Sequence, residues 1–220
     1  VSLLSPVMNV NVTRIFPFKN VFETADKNWK KTVQRIGLTY NFEGQNRAQF
    51  ADSLMSTANF TAINQTMMNG VNQGVTIQTS TGLFKNALKI NPNLSYGNKI
   101  NFQQIQKSYD PFTNSTKIDT IQKPTMSHEL NFNLSATTVL YAYYKFAGKK
   151  QARLRHLMTP NLGYRYTPGW NPLVTVNAGP NQSAITYSPF ERSIYSVGST
   201  REASLLTFGL NNTAEIKVPA

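Results

Sequence analysis

Residues 153–170 read RLRHLMTPNLGYRYTPGW. In an extended chain successive side chains point to opposite faces. Met158, Leu162, Tyr164 and Tyr166 therefore fall on one face, and Arg153, Arg155, Asn161 and Arg165 on the other. The stretch predicts a two-faced strand. A soluble antiparallel sheet turns such an apolar face to a protein core, and a membrane barrel turns it to lipid. The choice passes to the rest of the chain.

Cysteine is absent from the 220 residues, which excludes a disulfide framework, a thiolate metal site and a cysteine nucleophile. No apolar run nears the roughly 18–20 residues of a membrane helix; the richest, VLYAYYKFA from Val139, is about half that. Membrane strands need only alternate residues to be apolar, so a hydrophobic fraction of 40% and a mean hydropathy of −0.35 are compatible with them. Charged residues make up 15%, against roughly 25% in soluble domains, and Asn, Thr, Ser and Gln are abundant. A polar but uncharged composition suits a wet lumen. The 22 Lys and Arg against 10 Asp and Glu give a net charge of +12, which calls for an anionic partner: nucleic acid, anionic lipid or phosphorylated sugar. The chain has no recognition helix, zinc-finger spacing or RNA-binding sheet signature, and its basic residues are spread along it, so nucleic acid is not expected.

Read for period two, the chain yields about seven long strands. Met8, Val10 and Val12 share a face in PVMNVNVTRIF, as do Ile36, Leu38, Tyr40 and Phe42 in VQRIGLTYNFE. Val71, Val75, Ile77 and Leu83 follow, then Leu88, Ile90, Leu94, Tyr96, Ile100 and Phe102 against Lys89, Asn91, Asn93, Ser95 and Lys99. Leu130, Phe132, Leu134, Leu140, Tyr144 and Phe146 form the next set, and Leu206, Phe208, Leu210, Ile216 and Val218 the last. No helical period competes. Tight turns, FKNA at 84–87 and AGKKQAR at 147–153, alternate with long polar loops at 44–70, 105–128 and 167–202. Short turns at one end and long loops at the other are the plan of an outer-membrane barrel; the linker at 17–31 is the exception. The fold expected is all-β, a transmembrane antiparallel β-barrel of which residues 1–220 supply part. The rivals are another barrel, a channel or transporter wall, and a soluble β-sandwich binding module.

Little in the sequence offers covalent chemistry. His128 and His156 are the only histidines, neither in a metal-ligand spacing, and no nucleophile elbow is present. No catalytic, cofactor or metal site is expected, and His156 takes an interfacial place on the apolar face. Pro92 and Pro160 each remove a ladder donor inside an alternating run, which predicts a bulge at each. Lys89, Lys99, Lys145, Arg153, Arg155 and Arg165 all take the polar parity, facing the lumen of a barrel as a solvated lining.

Four segments resemble the β-barrel domain of the LPS-assembly protein family LptD (OstA-like). Arg155, His156, Thr159, Pro160, Tyr164, Tyr166 and Pro168 match its Arg-His-x-x-Thr-Pro segment with following aromatics, and TTVLYAYYKF resembles the strand leading into it. Tyr187, Ser188, Pro189, Phe190 and Glu191 are similar to its Tyr-Ser-Pro-Phe-Glu loop, and LNNTAEIKV from Leu210 to its closing strand. Arg192 stands where a small residue is expected. The resemblance is specific from about Thr137 to Val218.

The resemblance implies a very large barrel in the outer membrane of a Gram-negative cell, of which this chain is a fragment, with a periplasmic lipopolysaccharide-binding domain ahead of Val1. It implies delivery of lipopolysaccharide to the outer leaflet by passage and lateral release, without covalent chemistry. The partners implied are lipopolysaccharide, outer-membrane lipid, a plug lipoprotein (LptE-like) and periplasmic bridge proteins. On this reading Arg153, Arg155, Arg165, Lys145, Lys89 and Lys99 are candidate contacts for lipopolysaccharide phosphates. Asp52-Ser53 and Asp119-Thr120 resemble a bacterial O-glycosylation signal, and Asn-x-Ser/Thr sequons such as those at Asn59 and Asn114 are expected by chance.

Overall fold

The computed structural model describes residues 2–23, 27–49, 67–147, 152–171, 173–180, 182–195, 197–198 and 200–217. The elements are β1 (Ser2–Ile15), α1 (Asn28–Gln34), β2 (Gly37–Gln49), β3 (Met67–Gln78), β4 (Thr81–Leu83), β5 (Leu88–Asn101), β6 (Gln104–Asp110) and β7 (Ser115–Ile121). They continue with β8 (Thr125–Thr138), β9 (Leu140–Lys145), β10 (Arg153–Thr167), β11 (Val174–Val176), β12 (Ile185–Tyr187) and β13 (Ala203–Lys217). One antiparallel sheet dominates, with the path β1-β2-β3-β5-β8-β10-β13; β4 pairs with β5 and β9 with β10. Each strand pairs with the next along the wall, as in an up-and-down meander. The sheet is open, with β1 and β13 at its edges, and does not close into a barrel within the described residues.

Register turns the alternation of single strands into two continuous faces. Leu38, Ile77, Leu94, Phe132 and Tyr166 form one cross-strand row, and Ile90, Ala136, Leu162 and Phe208 another. The opposite face carries Asn93, Asn133 and Arg165 in one row and Lys89, Thr137, Asn161 and Gly209 in the next. Leu94, Tyr96, Leu134, Leu162, Tyr164 and Phe208 are all exposed, from 36% at Leu134 to 72% at Phe208. Among the described residues, no second sheet packs over this face. Two register shifts occur in β1, between Ser5 and Met8 and between Val12 and Ile15, and the second keeps Ile15 beside Leu38 on the apolar side although its number is odd.

Three expectations need correction. The prolines do not make bulges. Gln78 pairs with Asn93 and Thr81 with Ile90, so register is unbroken past Pro92, and the ladder simply lapses between β3 and β4. Thr137 pairs with Asn161 and Leu140 with Met158, the same lapse opposite Pro160. A proline withdraws one N–H from one neighbour and leaves the strand direction intact. Each thus divides the strand beside it, which is why seven long runs appear as nine strands. A helix also occurs: α1 ends the linker between β1 and β2, and β2 starts at Gly37 instead of Val33.

The loop intervals shrink as well. β2 reaches Gln49 and β3 begins at Met67; β6 pairs with β7 inside 105–128, and β11 with β12 inside 167–202. The Asp52-Ser53 and Asn59 sequence signals and the turn at 148–151 lie outside the described residues.

Candidate functional site

The polar face is mostly neutral across its middle. Asn91, Asn133, Ser135, Arg165 and Thr207, together with the apolar Leu134, Tyr164 and Leu205, line a cavity of about 460 Å³. Arg165 Nε donates to Asn133 Oδ1 at 2.8 Å, Asn91 Nδ2 to Ser135 Oγ at 3.4 Å, and Thr207 Oγ1 to the Gly163 carbonyl at 3.3 Å. Gly163 and Gly209 keep this face low, since a Cβ on either would meet Thr207 or Asn161. Amide and hydroxyl groups in such a row exchange hydrogen bonds with water or with a polyhydroxylated ligand at little net cost.

The six basic residues read from the sequence share this face without forming one strip. Lys145, Arg153 and Arg155 gather at the short-turn end with Lys217, around a cavity of about 650 Å³. There the Arg155 guanidinium lies 5.4 Å from the Tyr141 ring centroid and 3.5 Å from Glu215 Oε2. Tyr141 and Tyr143 stack at 6.5 Å. Arg165 stands ten residues further along β10, roughly 33 Å from Arg155 at 3.3 Å per residue. Lys99 lies near the opposite end, paired with Glu129 at 3.2 Å, and Lys89 faces Thr137 between them. Tyr141 and Tyr143 went unnoticed in the sequence, although the parity of Leu140 and Tyr144 already assigns them to the polar face.

The Tyr187–Glu191 motif builds the loop end. Ile105, Ala178, Tyr187 and Phe190 are each at most 5% exposed and supply most of the buried apolar side chains described. Ile105 N donates to the Pro189 carbonyl at 2.9 Å, and Lys107 N donates to the Tyr187 hydroxyl at 3.1 Å. Lys107 Nζ lies 5.0 Å from the Tyr187 ring centroid and 2.7 Å from Glu191 Oε2. A turn closes from Glu191 N to the Ser188 carbonyl at 3.2 Å, leaving Arg192 exposed. The remaining motif residues lie on β10: Arg155 and Thr159 on the polar face, His156 and Pro160 on the apolar face, opposite Ala214 and Leu210.

From this anchor residues 193–195 cross the polar face. Asn101, fully buried, donates through Nδ2 to the Tyr195 carbonyl at 3.3 Å and accepts from Tyr195 N at 3.2 Å, as a neighbouring strand would. The Tyr195 hydroxyl donates to the Glu43 carbonyl at 3.3 Å. Burial first, and the Glu43 charge second, push this hydroxyl up to about 12. Ile194 and Tyr195 lie where a Cβ on Gly70 would stand, and Gly198 lies against Glu129 and the His128 carbonyl. Asn171 holds the His128 backbone in the same two-bond manner, at 2.9 and 2.7 Å. The loop end of the polar face is thereby covered, and the cover is fastened by amide groups that water can replace.

No curated protein and no solved structure matches the chain. The profile of the family described as LptD protein matches residues 1–220, so a two-faced antiparallel wall and the Tyr187–Glu191 loop module are found together in a chain that belongs to the LptD family, whose role is in lipopolysaccharide transport and assembly.

Proposed function

We propose that residues 1–220 are part of a single barrel domain in the outer membrane of a Gram-negative cell, with the apolar face against lipid and the polar face lining the path of lipopolysaccharide to the outer leaflet. The observation that carries this reading is the apolar face running the width of the sheet, uncovered among the described residues, opposite a face rich in amides and hydroxyls. A β-sandwich would bury the first against a second sheet. On this reading the short turns are periplasmic and the β6–β7 hairpin and residues 187–198 are external. A plug lipoprotein in the lumen and periplasmic bridge proteins are the partners that follow.

The orientation is tested by cysteine labelling of intact cells. Asp110→Cys is expected to react with an impermeant reagent and Lys85→Cys to remain unlabelled; the reverse pattern would invert the topology.

The basic residues then serve as stations separated along the path, Arg153 and Arg155 at the periplasmic mouth and Arg165 near the loop end. Each guanidinium is partly hydrated, so a single Arg→Gln change should lower phosphate contact by about 0.5–1 kcal/mol, as for screened ion pairs. The change of Arg153, Arg155 and Arg165 together is expected to leave barrel abundance unchanged, slow the arrival of lipopolysaccharide at the surface and sensitise cells to large hydrophobic antibiotics. Normal surface lipopolysaccharide at normal abundance would reduce these residues to solvated lining.

A further inference from the structure

The linker between β1 and β2 is long where a barrel plan asks for a short turn, and its described residues are folded. Lys19 N and Val21 N donate to the carbonyls of Phe16 and Phe18 at 3.2 and 3.3 Å. Gln34 Nε2 donates to the Phe22 carbonyl at 3.1 Å, and Phe22 meets Trp29 edge-on at 5.2 Å. Thr32 Oγ1 donates to Thr81 Oγ1 at 2.7 Å, and Thr79 Oγ1 donates to the Thr32 carbonyl at 3.0 Å. Thr79 and Thr81 share the parity of Ile77 and Leu83, so α1 is tied to the apolar side of the sheet.

Despite this order, Phe16, Phe18, Val21 and Trp29 are between 41% and 56% exposed, directly beyond Ile15 at the end of the apolar face. Lys19, Lys27, Lys31 and Arg35 are exposed among them. The sequence from 16 to 35 holds the basic residues Lys19, Lys27, Lys30, Lys31 and Arg35 against the acids Glu23 and Asp26. Large apolar and aromatic side chains interspersed with lysines, at the margin of an apolar belt, suit the headgroup layer of a bilayer. The rings sit at the interface, and the ammonium groups reach lipid phosphates.

We propose that residues 16–23 and 27–35 anchor the wall in the leaflet on its short-turn side and select anionic phospholipid there, with Lys19, Lys27 and Lys31 as the phosphate contacts and Phe16, Phe18, Val21 and Trp29 as the inserted groups. The assignment rests on the barrel reading, from which lipid around the apolar face follows. Lys30 has a separate part, its Nζ lying 5.8 Å from the Phe22 ring centroid, and stays unchanged in the test.

The test titrates the full-length protein, in neutral detergent micelles at low ionic strength, with dansyl-labelled phosphatidylglycerol or phosphatidylcholine. A lysine near an anionic lipid surface is worth about fivefold in affinity. Lys19→Gln/Lys27→Gln/Lys31→Gln is therefore expected to lower phosphatidylglycerol affinity about 100-fold and leave phosphatidylcholine affinity unchanged, and added salt should erase most of the difference. Trp29→Ala is expected to weaken both lipids alike. Equal affinity of the parent for the two lipids, or an undiminished preference in the triple variant, would overturn the anchor while leaving the barrel in place. Displacement of phosphatidylglycerol by inorganic phosphate would also overturn it, by revealing a site for a free anion. A parent protein that takes up neither lipid would overturn the anchor together with the barrel reading.

Discussion

With the apolar face against lipid as proposed, Leu162→Arg is expected to remove the protein from the outer membrane, while Asn161→Arg, one residue away, leaves its abundance unchanged. Leu162 stands in the row of Ile90, Ala136 and Phe208, and Asn161 projects to the opposite face. An arginine on the lipid face of a barrel costs roughly 2–4 kcal/mol at the bilayer midplane and falls toward zero at the interfaces. The apolar positions of β10 extend from Leu154 to Tyr166, twelve residues or roughly 40 Å along the strand, and about 30 Å across a bilayer at a tilt near 40°. Leu162 lies inside that band. Because its side chain is 47% exposed in the sheet itself, an arginine there would cost little in water. Barrel assembly, measured as heat-modifiable full-length protein in outer-membrane fractions, should therefore drop severalfold or more for Leu162→Arg alone. Equal abundance of the two variants would mean that water, and not lipid, meets the apolar face.

Such a contrast between neighbours can be designed because the faces were legible before any register was known. Period two persists over long runs, and one parity suffices to assign both sides. Position along a strand is different information. Arg155 and Arg165 share a parity, yet only the pairing of β10 with β8, β9 and β13 reveals that one sits among Tyr141, Tyr143 and Glu215 and the other beside Asn133. The prolines divide in the same way. The missing donor was evident from composition, whereas its consequence, a lapse in the neighbouring strand with register preserved, depends on which strand lies beside it.

Short elements were the least legible. Helix α1 has Lys27 at its N-cap without a side-chain hydrogen bond and no acidic residue in its first turn, so it lacked the signals that mark a helix start. Its stability comes from Thr32 against β4 and Gln34 against Phe22, contacts that no local pattern announces. β6 and β7, QIQKSYD and STKIDTI, alternate too weakly to stand out within a polar loop, and Ile105 acquires its burial only when the motif loop folds over it. Tyr187 and Phe190 were visible as parts of a motif without any hint of what they would pack against.

Phe190→Ala is expected to undo the loop module without unfolding the sheet. Truncating a buried phenylalanine costs about 3–5 kcal/mol, and Ile105, Ala178 and Tyr187 are the other buried apolar side chains described at this end of the wall, a small reserve against the loss. The wall beneath is held separately by its ladders, so the opening is local. Hydrogen exchange reads it directly. The amides of Ile105 and Lys107, bonded to the Pro189 carbonyl and the Tyr187 hydroxyl, should exchange roughly 150- to 5000-fold faster, while those of β10 keep their protection. Tyr187→Phe, which deletes only the acceptor for Lys107 N, should cost about 1 kcal/mol and accelerate that amide about fivefold. Residues 193–195 are fastened through Asn101 and Glu43 but enter the polar face from this anchor, so in Phe190→Ala the Tyr195 amide should lose protection as well. Unchanged exchange at Ile105 and Tyr195 would show that the amide contacts of the cover hold the loop end closed without the apolar anchor.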